Sequence, residues 1–263
     1  MTKLQLIIVS AATVLFLVLY FGFDTKPEEQ AKIEQERKMS AKVTGIEMLL
    51  QSARTELSAD QATRIQWIEQ QLNEAGSTDS MRIALLKELS GSWYQLGRAD
   101  IAGHYAEEVA LAVEEDMAWS IAGTTYAAGL KLAKEEKIKQ FCLDGTIRAF
   151  ESAISLNPEN VTHKVNLALS YVDHPPQDNP MKGVLMLVDL NRKNPDHPLV
   201  LLHLGRLAIQ TGQYEKAVER LSKAVSIDPQ NPKINCLLAQ AYEQLGKAAE
   251  AAPYQQFCQQ LSQ

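Results

Sequence analysis

The chain has 263 residues, a formal net charge of −6 and 46% hydrophobic residues, with 13 Gly, 10 Pro and 3 Cys. That length holds one or two domains, and the mildly acidic balance argues against a nucleic-acid binder, which normally needs a basic stripe. Three Cys cannot close a disulfide framework, and sparse aromatics, Gly and Pro suit helices better than a sandwich with a turn every ten residues.

After a short tail at 1–3, residues 4–23 read LQLIIVSAATVLFLVLYFGF, without a charge and with thirteen Leu, Ile, Val or Phe. Twenty residues at about 1.5 Å each span the roughly 30 Å hydrocarbon core, so a single transmembrane anchor is expected. A cleaved signal peptide would have an apolar core of ~7–15 residues and an A-x-A-like site, which the exit LYFGFDTKP lacks. Lys3 stands before the segment, while Lys26, Lys32, Arg37 and Lys38 follow it. That distribution leans toward a cytoplasmic C-terminal side.

Residues 24–42 carry five acidic and five basic side chains and read as a solvated helical stalk. Met39, Val43, Ile46, Leu50, Ala53 and Leu57 then alternate spacings of four and three, an apolar helical stripe. Ser58-Ala59-Asp60-Gln61 offers a capping box, followed by a second stripe of Ala62, Ile65, Ile68, Leu72 and Ala75 that Gly76 ends. A helical hairpin over 43–76 is the expectation.

The rest of the chain repeats. Residues 198–231 and 232–263 align with Leu204 on Leu238, Gly205 on Ala239, Gly212 on Gly246 and Ala217 on Ala251, and Leu221, Ala224 and Pro229 complete the first copy. Looser copies carry Leu167, Ala168, Tyr171, Leu187, Leu190 and Pro195 over 161–195, with DHPPQDNP lengthening the turn. Trp119, Gly123, Tyr126, Phe150, Ala153 and Pro158 mark 116–158, with an insertion of about eleven, and Leu89, Trp93, Gly97, Ala102 and Ala106 mark the first copy. This 34-residue pattern resembles the tetratricopeptide-repeat (TPR) family. The resemblance implies an all-α protein: about five repeats over 83–263 stacked as a right-handed helical solenoid, preceded by the anchor and the hairpin.

Reactive chemistry is not evident. The histidines, His104, His163, His174, His197 and His203, show no compact metal-ligand spacing, and no Gly-rich phosphate loop or nucleophile elbow is present. No enzyme activity, cofactor or metal is expected. Cys142, Cys236 and Cys258 read as buried small hydrophobes, with a Cys236–Cys258 bridge across the last hairpin as the alternative.

In the TPR family, positions 2, 5, 9, 12 and 13 of each first helix line a concave protein-binding groove. Carried over, these are Leu199, Leu202, Arg206, Ile209 and Gln210 in the clearest repeat. The next repeat contributes Lys233, Cys236, Gln240, Glu243 and Gln244, and the one before contributes Thr162, Val165, Leu169, Val172 and Asp173. The family's carboxylate clamp is not visible, because Lys87 is followed by Gly91 and Val165 by Leu169. The resemblance further implies a bacterial inner-membrane scaffold with its array in the periplasm, binding protein or peptide partners in envelope assembly or translocation. A cytochrome c maturation-type assembly factor and a cytoplasm-facing import or docking receptor are the alternatives. A place as a subunit of a membrane protein complex fits the leading reading.

Overall fold

A computed structural model describes Gln5, residues 45–74 and residues 80–260. Apart from Gln5, the expected anchor at 4–23 lies outside these residues, as does the expected stalk at 24–42. No helix among the described residues is long and apolar enough to cross a membrane. The chain divides into two compact units, Met1–Glu56 and Leu57–Gln263. In the first, residues 45–54 are helical.

The second unit is helical throughout its described residues. Its elements are α1 (Ala59–Glu74), α2 (Ser80–Gln95), α3 (Ala99–Val113), α4 (Asp116–Leu132), α5 (Glu136–Leu156) and α6 (Val161–Asp173). They continue as α7 (Lys182–Lys193), α8 (Pro198–Gln210), α9 (Tyr214–Ile227), α10 (Pro232–Gln244) and α11 (Ala248–Gln260). Each helix packs on the next in sequence, so α2–α11 form five successive hairpins. Additional contacts of α3 with α5, α6 with α8 and α8 with α10 join neighbouring hairpins into a stack.

Local chemistry sets the boundaries. At the start of α1 the capping box is present: Ser58 N–H donates to Gln61 Oε1 at 2.9 Å, and Gln61 N–H donates to Ser58 Oγ at 3.3 Å. This exchange satisfies two otherwise orphaned backbone groups. Between hairpins the same four-residue turn recurs at Asn157–Asn160, Asn194–His197 and Asp228–Asn231, each closed by a backbone hydrogen bond of 3.2–3.3 Å. Proline stands second in all three turns, where its fixed φ suits the bend and its missing N–H halts the helix. Asn160 and Asn231 then cap α6 and α10, accepting from the backbone N–H of Thr162 and from those of Lys233 and Ile234 respectively. Within the last two hairpins, Gly212 and Gly246 turn the chain at φ of +71° and +70°, a region that side chains with a Cβ avoid.

The insertion in the 116–158 repeat is absorbed by helix. α4 has 17 residues against 13 in α8, and α5 has 21 against 14 in α9. The turn between α4 and α5 stays as short as its counterpart, so this hairpin is simply longer than the others. A polar lock ties this hairpin to α3. Glu107, almost wholly buried on α3, accepts two hydrogen bonds from the Arg148 guanidinium at 2.8 and 3.0 Å and one from Tyr126 Oη–H at 2.8 Å. Burial, then the Glu107 charge, pushes the Tyr126 hydroxyl far above its ordinary range, so it stays a donor.

Candidate functional site

The first helices of the last three hairpins, α6, α8 and α10, form one shared face. Its sequence pattern dictates which side chains remain open. Each helix is amphipathic, and its inward side is closed by Val165 and Ala168 on α6, by Leu201, Leu204 and Ala208 on α8, and by Ile234, Leu238 and Ala241 on α10.

The residues expected to line a groove fall into two sets. Val165, at 0% exposure, and Leu202, at 4%, stand at the fifth helical position and belong to the core. Val165 packs in the cluster of Ala168, Leu187 and Leu204, and Leu202 in that of Ala217, Leu221 and Leu238. A ligand would therefore pass over these two residues. Leu169, Leu199 and Ile209 are half-buried against the same clusters. Arg206 is half-buried, while Gln210, Lys233, Gln240 and Glu243 are exposed. The open face is thus drawn mainly by positions 2, 9 and 13.

Arg206 is the electrostatic centre of this face. Its Nη2 lies 4.0 Å from Asp173 Oδ1 of α6, a loose pairing with the two side chains 33% and 46% exposed. Its Nε is buried without a hydrogen-bond partner. One turn earlier, His203 is half-buried and its Nδ1 is also unpartnered. Burial first, then the positive charges of Arg206 and Lys233, push the His203 imidazole down to about 4, with Asp173 acting in the opposite sense. At neutral pH the cluster therefore carries two cations, one carboxylate and a neutral imidazole with free hydrogen-bonding capacity. Position rules picked out Arg206, Lys233 and Asp173 but missed His203, which stands one step off the groove register. A histidine one turn from an arginine on a first helix was the available signal.

The α10 end of the face is held from behind by α11. Cys236 and Cys258 form a disulfide with Cα atoms 5.0 Å apart, replacing the expected pair of buried thiols. Glu243 accepts a hydrogen bond from Gln255 of α11 and is therefore partly committed. Cys142 stays free and buried, and desolvation pushes its thiol up to about 12, too high for a nucleophile at neutral pH. Among the described residues no group of His, Cys, Asp or Glu is arranged to hold a metal ion.

Comparisons with known proteins agree with this architecture at the C-terminal end. A model of the TPR repeat matches residues 205–246, and a tetratricopeptide-repeat model matches residues 232–263. No curated protein matches the chain significantly. Among solved structures, TTC0263, a thermophilic TPR protein of Thermus thermophilus, is 19% identical, covers 67% of this chain and 89% of its own, and gives a TM-score of 0.48. MamA AMB-1 is 23% identical over 70% of this chain and 93% of its own, with a TM-score of 0.39. MamA MSR-1 is 24% identical over 70% and 98%, also with a TM-score of 0.39.

Proposed function

We propose that this chain, a member of the tetratricopeptide-repeat family by the repeats at residues 205–263, is a membrane-anchored scaffold that holds a protein partner along the α6–α8–α10 face. The observation that carries the reading is Arg206. Its side chain is one-third exposed and its Nη2 makes only a loose 4.0 Å contact to Asp173, so Nη–H donors remain for a ligand. Half-buried Leu169, Leu199 and Ile209 around it offer apolar contact, and an Arg among apolar anchors is the usual composition of an interface hot spot. The partner is a protein segment, extended or helical, with an acidic or carbonyl group for Arg206.

The scaffold is anchored in an inner membrane by residues 4–23 and works in envelope protein assembly or translocation, with its array in the periplasm. The Cys236–Cys258 bridge favours that side, because disulfides persist in oxidising compartments and are rare in the cytosol. The cytoplasm-facing alternative rests on the count of Lys26, Lys32, Arg37 and Lys38 after the apolar run. A maleimide that cannot cross the inner membrane separates them: it labels Gln213→Cys in intact spheroplasts if the array is periplasmic, and only after lysis if it is not.

The binding reading is tested by capture of the partner from solubilised membranes with two single variants. Arg206→Ala should weaken capture by about thirtyfold, equivalent to ~2 kcal/mol, with little change in melting temperature. Leu202→Ala should instead destabilise the fold by ~2–5 kcal/mol as a core truncation. Capture that survives Arg206→Ala, or that fails only when Trp67 of α1 is altered, would remove the binding surface from this face.

A further inference from the structure

The last repeat departs from the one before it at the positions where one hairpin packs on the next. In the α8–α9 hairpin, Leu202, Ile209, Val218 and Leu221 share one cluster with Ile234 and Leu238 of α10. Their counterparts 34 residues on are Cys236, Glu243, Ala252 and Gln255, and the last three are exposed. Ala224, buried in α9, is likewise answered by Cys258 in α11. The outer side of α10–α11 therefore carries a carboxylate, a methyl and an amide where the preceding hairpin carries three large apolar side chains. Leucine and alanine serve in the core at the two earlier places, so packing does not call for cysteine at either one.

The bonded pair is placed where it can be opened and where opening matters. Cys236 and Cys258 are both half-buried, whereas the free Cys142 is buried. Exposed disulfides are the labile ones, and Lys233, exposed one turn before Cys236, sets a positive charge beside a thiolate formed there. Cys236 also stands at the fifth position of α10, between Lys233 and Gln240 of the binding face. From α11, Gln255 donates to Glu243 on that face and Tyr254 stacks on Tyr242. We infer that the Cys236–Cys258 bridge is a redox latch on the α6–α8–α10 face, closed by oxidation and opened by a dithiol, which frees α11 and withdraws the α10 edge from ligand binding. In the opening step one thiolate of the dithiol attacks a bridge sulfur, forming a mixed disulfide and releasing the other cysteine as thiolate. The second thiol of the reductant then displaces the remaining cysteine, so two electrons and two protons pass to the protein and the reductant closes to its own disulfide. Resting on the binding face proposed for this chain, the latch makes the scaffold competent to bind only once its cysteines reach an oxidising compartment.

The test uses the full chain in detergent micelles, equilibrated with reduced or oxidised dithiothreitol, and counts thiols by alkylation. Reduction without denaturant should yield two modifiable thiols, at Cys236 and Cys258, while buried Cys142 reacts only in urea. Trypsin should then cut after Lys233, in the first turn of α10, at least about tenfold faster than in the oxidised protein. Capture of the partner from solubilised membranes should fall at least about tenfold on reduction, because the competent state is depleted. A Cys236→Ser/Cys258→Ser variant should show the same loss without any reductant, which separates the latch from disulfides of the partner. A bridge that yields to dithiothreitol only in urea, or one whose loss leaves capture unchanged, overturns the proposal. Arg206→Ala tells this failure from that of the face: capture lost in Arg206→Ala but indifferent to the bridge removes the latch alone. Capture indifferent to Arg206→Ala removes the face and the latch with it.

Discussion

Reducing the Cys236–Cys258 bridge should loosen one end of the array and leave the other intact. Among the described side chains of α11 only Ala251 is buried, Pro253 lacks the N–H its helix position would donate, Tyr254 stacks on Tyr242 and Gln255 donates to Glu243. The bridge closes a loop across a sequence separation of 22 residues. In the chain-entropy account a loop of that length stabilises by about 3.4 kcal/mol at 25 °C, a large share of the marginal stability of a domain. Urea unfolding with and without a dithiol reductant should therefore show a lower midpoint after reduction, and a Cys236→Ser/Cys258→Ser variant should reproduce it. Amide exchange should localise the loss: α11 and the facing side of α10 lose protection, whereas α2–α5 keep theirs. Superimposable unfolding curves, or a loss spread evenly over the stack, would refute the view that this bridge is the main tether of α11.

Two further perturbations follow from close approaches and from titration. A Cβ added at Gly183 would press into backbone atoms of α6 at Ala168, Tyr171 and Val172, whereas at Gly205 its nearest neighbours would be atoms of the Leu221 side chain. Backbone cannot swing aside, so Gly183→Ala should cost more than Gly205→Ala in a thermal melt, with overpacking of ~1–3 kcal/mol or more at Gly183. His203 has its folded value pushed down to about 4, so the unfolded chain takes up that proton first as pH falls from the ordinary 6.5. Its contribution is complete above that value and is lost as pH falls toward 4, amounting to on the order of 2 kcal/mol after solvent screening at a half-buried site. The urea midpoint of the wild type should fall across this window more steeply than that of His203→Gln.

The stacked architecture was legible because a 34-residue period leaves its mark on several turns. Gly212 and Gly246 answer one backbone demand, and Pro158, Pro195 and Pro229 another, so spacing alone exposes them. The insertion before Ala149 was visible as extra length, but its form was not: whether eleven residues loop out or extend two helices depends on packing across the hairpin. Groove positions transferred only in part. The family register points to one face of each first helix, yet Val165 and Leu202 are drawn into the neighbouring core, which no single-position rule detects. Pairings distant in sequence were hardest. Arg148 stands 41 residues from Glu107, and nothing in either helix's periodicity announces the other.

That same Glu107 site changes how the stack can breathe. In an array of independent repeats, any hairpin opens at the cost of its own contacts and those of its nearest neighbours. Here a carboxylate on α3 accepts from a hydroxyl on α4 and a guanidinium on α5, so detaching either helix costs Glu107 its hydrogen-bond partners as well as the apolar contacts. Residues 99–156 should therefore open as one unit of three helices that crosses a repeat boundary. Slow exchange should be shared across that block, and thermal fluctuations should enter the array from the C-terminal hairpins, where no such interlock spans neighbouring units among the described residues of the last two repeats.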